Sequence, residues 1–194
     1  MINSLHYFKY VAGFAKPLTQ TSKAERQALR EFASGKKRLA EVGVFHGVNT
    51  SSFREVMAAD AVLIAIDPFH RPFFGIRGYG WARRIAHREV SRIKRGSVVW
   101  IEDTGKNAPL RTELLDLLPV DFIFIDGDHS WEGLKGDWES WSPRVALNGI
   151  VALHDSFNCG GAGSERFTTE VILHDQRYER LRAIDSLTIL RRRA

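Results

Sequence analysis

One cysteine, Cys159, stands alone in 194 residues. That excludes an intramolecular disulfide and a zinc site built from cysteines, and it points to a reducing compartment, the cytoplasm. No apolar run approaches the ~18 residues that cross a bilayer, so no membrane partner is expected. The opening stretch, MINSLHYFKYVAGFAKP, has a short apolar patch without a small-residue cleavage site, so a secretory leader is not expected either. The glycine triplet of a dinucleotide-binding turn, G-x-G-x-x-G, is missing, which argues against a nicotinamide enzyme. Internal repeats and low-complexity linkers are lacking too. The length suits one domain over 1–194, with a helical segment at 1–38 and a core at 39–194. The formal charge is +5 and the pI near 9.6, but Arg191, Arg192 and Arg193 carry more than half of that excess. This tail reads as solvated rather than as a polyanion-binding surface.

What is present is a series of apolar runs that each end in polar residues. Leu39 to Phe45 reads as a buried parallel strand with Glu41 near its carboxyl end, followed by Gly43, Gly47 and a helix start at Asn49 or Thr50. The two glycines suit a sharp turn that lets backbone approach a ligand. Ala61 to Asp67 is a second run, and its terminal carboxylate lies about 20 residues past the glycine turn, where a doubly wound sheet grips ribose hydroxyls. Ser97 to Ile101 leads into Glu102, Asp103 and Thr104; Asp121 to Ile125 leads into Asp126, Gly127, Asp128 and His129; Gly149 to Leu153 leads into His154 and Asp155. Ligands bind at the carboxyl ends of strands in open α/β sheets, so this serial placement points to one polar edge.

Before Lys37 the chain reads as helical, with an irregular apolar face of Leu5, Phe8, Tyr10, Val11 and Phe14. A second helix, KAERQALREFAS, is capped by Thr21 or Ser22 and closed by Gly35. These helices suit a cover over the pocket, a dimer contact in a homo-oligomer, or packing on the sheet, and the residues alone leave the three open. After Asp155, a helix over Glu165 to His174 precedes two strands around Asp185. Two segments depart from regular patterning, Pro68 to Gly80 and Asn158 to Gly163; both suit loops over the strand ends.

From about Lys37 to the C-terminus the chain resembles the class I S-adenosylmethionine-dependent methyltransferases. The carriers are EVGVFHG, Asp67, IEDTG, FIDGDHSWEGLKGDWESW and NGIVALHDSF. The last two blocks resemble small-molecule O-methyltransferases, a subgroup that includes macrolide-sugar and cephalosporin-pathway relatives. The resemblance implies an α/β, Rossmann-like, doubly wound, mostly parallel seven-stranded sheet with a C-terminal antiparallel hairpin and N-terminal helices.

It also implies roles. Glu41 sits near the cofactor's ammonium and the Gly43–Gly47 backbone near its carboxylate and ribose. Asp67 accepts both ribose hydroxyls, and Asp103 and Thr104 read the adenine amino edge. Asp126 borders the cofactor and the transfer site. His129, three residues beyond it, matches the proposed base of similar sugar O-methyltransferases, and its ordinary pKa near 6.5 suits that task. Asp126, His154 and Asp155 form a candidate site for a divalent metal. His154 stands where relatives place a hard oxygen ligand, which favours Mn²⁺, Fe²⁺ or Zn²⁺ over Mg²⁺. The expected partner is a small-molecule hydroxyl acceptor. RNA as acceptor and a non-catalytic S-adenosylmethionine-binding role are the alternatives. Arg71, Arg77, Arg83 and Arg84 hint at an anionic or sugar-rich acceptor.

Overall fold

The computed structural model describes residues 4–69 and 80–194. Its centre is a seven-stranded sheet in the order β3-β2-β1-β4-β5-β7-β6. The strands are β1 (Arg38–Val42), β2 (Val62–Ile66), β3 (Ser97–Ile101), β4 (Val120–Ile125), β5 (Val145–Leu153), β6 (Tyr178–Ile184) and β7 (Leu187–Arg192). Strands β1 to β5 pair in parallel, while β7 lies antiparallel between β5 and β6. The strand order reverses between β1 and β4, and a crevice at the carboxyl ends follows from that reversal.

Among the described residues, six α-helices flank the sheet: α1 (Ser4–Val11), α2 (Lys23–Ala33), α3 (Val48–Val56), α4 (Trp81–Ser91), α5 (Trp131–Trp141) and α6 (Gly163–Glu170). Alternation along the strands sorts side chains between two cores. Ala40, Val42, Ile64, Ile66, Ile123, Ile125, Val151 and Leu153 face the side of α5 and α6, with Leu134, Trp138, Trp141 and Phe167. Leu39, Leu63, Phe122, Phe124, Ile150 and Ala152 face the other side, with Ala28 and Leu29 of α2 and Phe53 of α3. This parity decides where the polar strand-end residues point.

The first strand is shorter than the apolar run suggests. It stops at Val42, because Gly43 turns the chain at φ 90°. The helix after the turn starts at Val48 with Gly47 as a left-handed N-cap and no side-chain cap. Asn49 and Thr50 are therefore inside α3 and bond elsewhere. Ser22 caps α2 in a full capping box with Glu25, and Gly35 follows its end at φ 71°. The helix expected over Glu165 to His174 breaks into α6 and a short 3₁₀ turn at Ile172–His174. The terminal strands form the expected hairpin around Asp185. Most of the Pro68 to Gly80 segment, with Arg71 and Arg77, lies outside the described residues.

Candidate active site

Glu41 shares the face of Leu39, so it points toward α3 rather than α5. It is 1% exposed and accepts a hydrogen bond from the Thr50 hydroxyl. Burial pushes its carboxyl well above the usual carboxylate range; Thr50 opposes that, and the Asp126 and Asp67 charges add to it. Glu41 thus props the first turn of α3 from below the glycine loop.

The two loop glycines are required by protein neighbours. A Cβ on Gly43 would lie 2.0 Å from the Asp126 carbonyl oxygen, so the loops after β1 and β4 touch backbone to backbone. A Cβ on Gly47 would meet Ala86 and Val90 of α4 at 3.0 Å. Between them Phe45 takes a left-handed φ of 51°. Asp67 holds this loop: its carboxylate accepts the N–H of Val44 at 3.0 Å, of Phe45 at 2.8 Å and of Phe69 at 2.7 Å. After β3, Asp103 accepts the N–H of Thr104 at 2.8 Å and an amide N–H of Asn107 at 3.3 Å. Arg111 faces the second Asp103 oxygen at 3.7 Å.

The ends of β4 and β5 bring together the residues expected there. Asp126 follows the parity of Phe124, and His154 that of Ala152, so both turn toward the α2 side of the sheet. His154 Nδ1 stands 2.8 Å from Asp126 Oδ1 and 3.7 Å from Asp155 Oδ2. His129 Nδ1 lies 3.4 Å from the same Asp155 oxygen, and the two imidazole rings are 6.1 Å apart. His154 is 5% exposed, whereas the His129 side chain keeps 37% exposure at the mouth. Burial lowers the His154 pKa, but Asp126, Glu25 and Asp155 together outweigh it and raise it to about 10. Burial likewise pushes the Asp126 carboxyl up, against the pull of the imidazoles. The Asp155 backbone sits at φ 45°, and its carbonyl accepts the Ser164 hydroxyl at 2.6 Å, tying α6 to this corner.

Glu25 was not visible as a site residue in the sequence. Its Oε2 lies 3.5 Å from His154 Nε2, accepts the Ser22 N–H at 2.7 Å and so completes the α2 cap. Its Oε1 accepts the N–H and hydroxyl of Ser186, both at 2.9 Å. Burial works against the charge, yet the bonds from His154, Ser22 and Ser186 hold the Glu25 pKa at about 2. The S-x-x-E spacing announces the cap; nothing local announces a partner 129 positions later, and only the strand parity of His154 explains it. The segment before α2 runs along the same edge. Leu18 N–H donates to His46 Nδ1 at 2.9 Å, and the Thr21 hydroxyl donates to Asn49 at 3.2 Å. The N-terminal segment therefore packs against the glycine loop and against the end of β5.

Among the described residues, no group of three or more histidine, cysteine, aspartate or glutamate side chains is arranged to hold a metal ion. Asp126 Oδ1 and both ring nitrogens of His154 are nonetheless buried without a well-directed hydrogen bond. The Asp126–His154 contact is an ion pair by distance, with an N–H that does not aim at the oxygen.

A Rossmann-like sheet with polar side chains gathered at its reversal point defines a class, and the chain's place within it comes from sequence. The chain belongs to the methyltransferase domain family, whose model matches residues 40–156. The uncharacterized protein y4gI of Sinorhizobium fredii is 27% identical over 134 residues, covering 62% of this chain and 13% of that protein's length. The match thus spans only a small part of this curated relative. Among solved structures, an O-methyltransferase from Bacillus cereus in complex with SAH is 16% identical at a TM-score of 0.69, covering 96% of this chain and 89% of that one. The O-methyltransferase TomG from Streptomyces achromogenes, involved in tomaymycin synthesis, is 13% identical at 0.68, covering 97% and 88%. An rRNA methylase from Streptococcus thermophilus is 13% identical at 0.61, covering 91% and 100%. These likenesses establish the shared fold.

Proposed function

We propose that the protein transfers a methyl group from S-adenosylmethionine to a hydroxyl of a small molecule, a sugar or natural product. The observation that carries this is the convergence of Asp126, His129, His154 and Asp155 on one edge, next to the glycine loop of a methyltransferase domain. When bound, S-adenosylmethionine supplies an activated methyl group whose bonding electrons leave with the sulfur. Asp67, Asp103 and Thr104 bind the nucleoside side. Asp67 does so while keeping the Val44 and Phe45 amides in place, so cofactor recognition and loop order are coupled. His129 removes the acceptor's proton as its oxygen attacks the methyl carbon. Asp155 holds His129 Nδ1, which leaves Nε2 free to take that proton. His154 and Asp126 stay paired behind it and fix the floor of the acceptor site. Alignment supplies most of the acceleration, as expected for an in-line displacement.

A divalent ion is the narrower part of the proposal. Asp126, His154 and Asp155 would hold it, and it would stabilise the acceptor's alkoxide as a Lewis acid. The undirected Asp126 Oδ1 and His154 Nδ1 are donors of suitable type, with one nitrogen among oxygens favouring Mn²⁺, Fe²⁺ or Zn²⁺ over Mg²⁺. His154 must lose a proton to coordinate, so metal affinity should rise with pH. Metal analysis after chelation and reconstitution tests this part alone.

Calorimetry with S-adenosylmethionine, then transfer of a labelled methyl group to a panel of hydroxylated metabolites and to tRNA and rRNA, tests the main reading. Absence of cofactor binding ends it. Label on RNA alone would move the assignment to an RNA methyltransferase. Binding with no transfer to either would leave a non-catalytic cofactor-binding protein.

A further inference from the structure

Asp137 is a buried carboxylate that the transfer chemistry does not use. It stands on α5 and is 5% exposed. One of its oxygens lies 2.5 Å from where a Cβ on Gly105 would sit, and the other 3.2 Å from where a Cβ on Gly127 would sit. The carboxylate is therefore wedged between the loop after β3 and the loop after β4. It accepts the backbone N–H of Lys106. One turn further along α5, Trp141 donates its indole N–H to the Gly105 carbonyl at 2.9 Å. The Lys106 stem lies over Gly136, where a Cβ would stand 3.1 Å from it. Helix α5 thus grips the Gly105–Lys106 segment by both a carbonyl and an N–H, directly after Asp103 and Thr104.

We propose that Asp137 is a positioning residue for cofactor binding, fixing the loop that presents Asp103 and Thr104 to the adenine and locking it to the loop after Asp126. The inference rests on the S-adenosylmethionine reading of that loop. Asp137 touches no substrate; it acts through the Lys106 amide and through the fit against Gly105 and Gly127. The charged group that faces it is Asp128, from the loop after β4; Lys106, from the loop after β3, faces it with its backbone N–H. Burial, aided by the Asp128 charge and opposed by the Lys106 N–H, raises the Asp137 pKa to about 7. Its ionised form is the stronger acceptor for that N–H. Burial and the Asp128 charge outweigh that gain, so the wedge is most stable with Asp137 protonated, and the loop loosens as the pH rises through about 7.

Two measurements test this. S-adenosylmethionine affinity of the wild type should fall about five- to tenfold between about pH 6 and pH 8. Asp137→Asn, neutral at every pH and still an acceptor, should lose that pH dependence; Asp137→Ala should bind several-fold more weakly at pH 6; and Trp141→Phe should weaken binding and keep the dependence. An Asp137→Asn variant with an unchanged pH slope, or an Asp137→Ala variant with wild-type affinity at pH 6, would overturn the inference. The second measurement needs no ligand and no variant: the Lys106 amide proton shift should titrate with a midpoint near 7. A shift unmoved across that range would overturn the clamp whether or not the cofactor binds. Failure of the wild type to bind S-adenosylmethionine, with a titrating Lys106 amide, would instead sink the cofactor reading.

Discussion

At the scale of single residues, the polar groups of this edge divide into those that face outward and those already committed to holding protein. Asp67 does both, which sharpens its prediction. Asp67→Ala should weaken S-adenosylmethionine binding at least tenfold, from loss of charge-assisted contacts worth roughly 1.5–3 kcal/mol. Calorimetry giving unchanged affinity in a folded variant would remove Asp67 from the site. His129 is the outward group. His129→Gln keeps a hydrogen-bonding side chain but cannot take the acceptor's proton, so kcat should drop about 10²–10⁴-fold with cofactor affinity nearly intact. A fully active glutamine variant would show that the imidazole only orders its loop. His46 is an inward group, with no exposed surface and with its ring stacked on Phe45 at 4.3 Å and on His6 at 5.5 Å. Burial, with the His6 charge adding to it, lowers its pKa to about 4. Its neutral form is thus favoured in the folded state. The corresponding stability is present above the unfolded value near 6.5 and is lost as pH falls toward 4, roughly 3 kcal/mol in all. Denaturation at pH 7 and pH 4.5 should show a smaller loss in His46→Gln than in the wild type; equal losses would refute the assignment.

Among elements, the N-terminal segment departs furthest from what a sequence can announce. The cap at Ser22 is a local signal and gives α2 correctly, whereas most of the apolar face before it, Leu5, Phe8, Val11 and Phe14, stays exposed. The segment's destination is not local. Glu25 reaches His154 on β5 and Ser186 at the β6–β7 turn because strand parity directs His154 to the α2 side. Cap and contact are separable by mutation. Ser22→Ala removes the cap and should cost about 1 kcal/mol. Glu25→Ala also removes one of the carboxylates that face the buried His154 imidazole, which keeps Asp126, and should cost about 1.5–3 kcal/mol more. Urea denaturation gives both values, and equal costs would mean that the His154 contact carries no weight. The glycine loop makes the same point. Its glycines and the following helix are legible, but the neighbours that require them are the Asp126 carbonyl and α4, which belong to distant stretches of chain. The predicted cap at Asn49 or Thr50 fails for that reason: Thr50 is turned inward to Glu41 and Asn49 toward Thr21.

For the molecule as a whole, the five apolar runs, their polar ends and the closing hairpin are enough to place the crevice, because parallel strands share one carboxyl edge. What the runs do not carry is which residues on that edge meet. The Asp126–His154 pair, the Glu25 brace and the Asp137 wedge each depend on side-chain parity and on helices docked from elsewhere. The place of β7 bears on how such a chain is made. It enters between β5 and β6 and pairs with both, so the sheet lacks an inner member until the segment after β6 has docked. Until β7 docks, β5 presents an open edge to other partly folded chains, a template for wrong pairing. Yield in the cell should then depend on how readily β7 finds the β5 edge, more than on the stability of the finished fold.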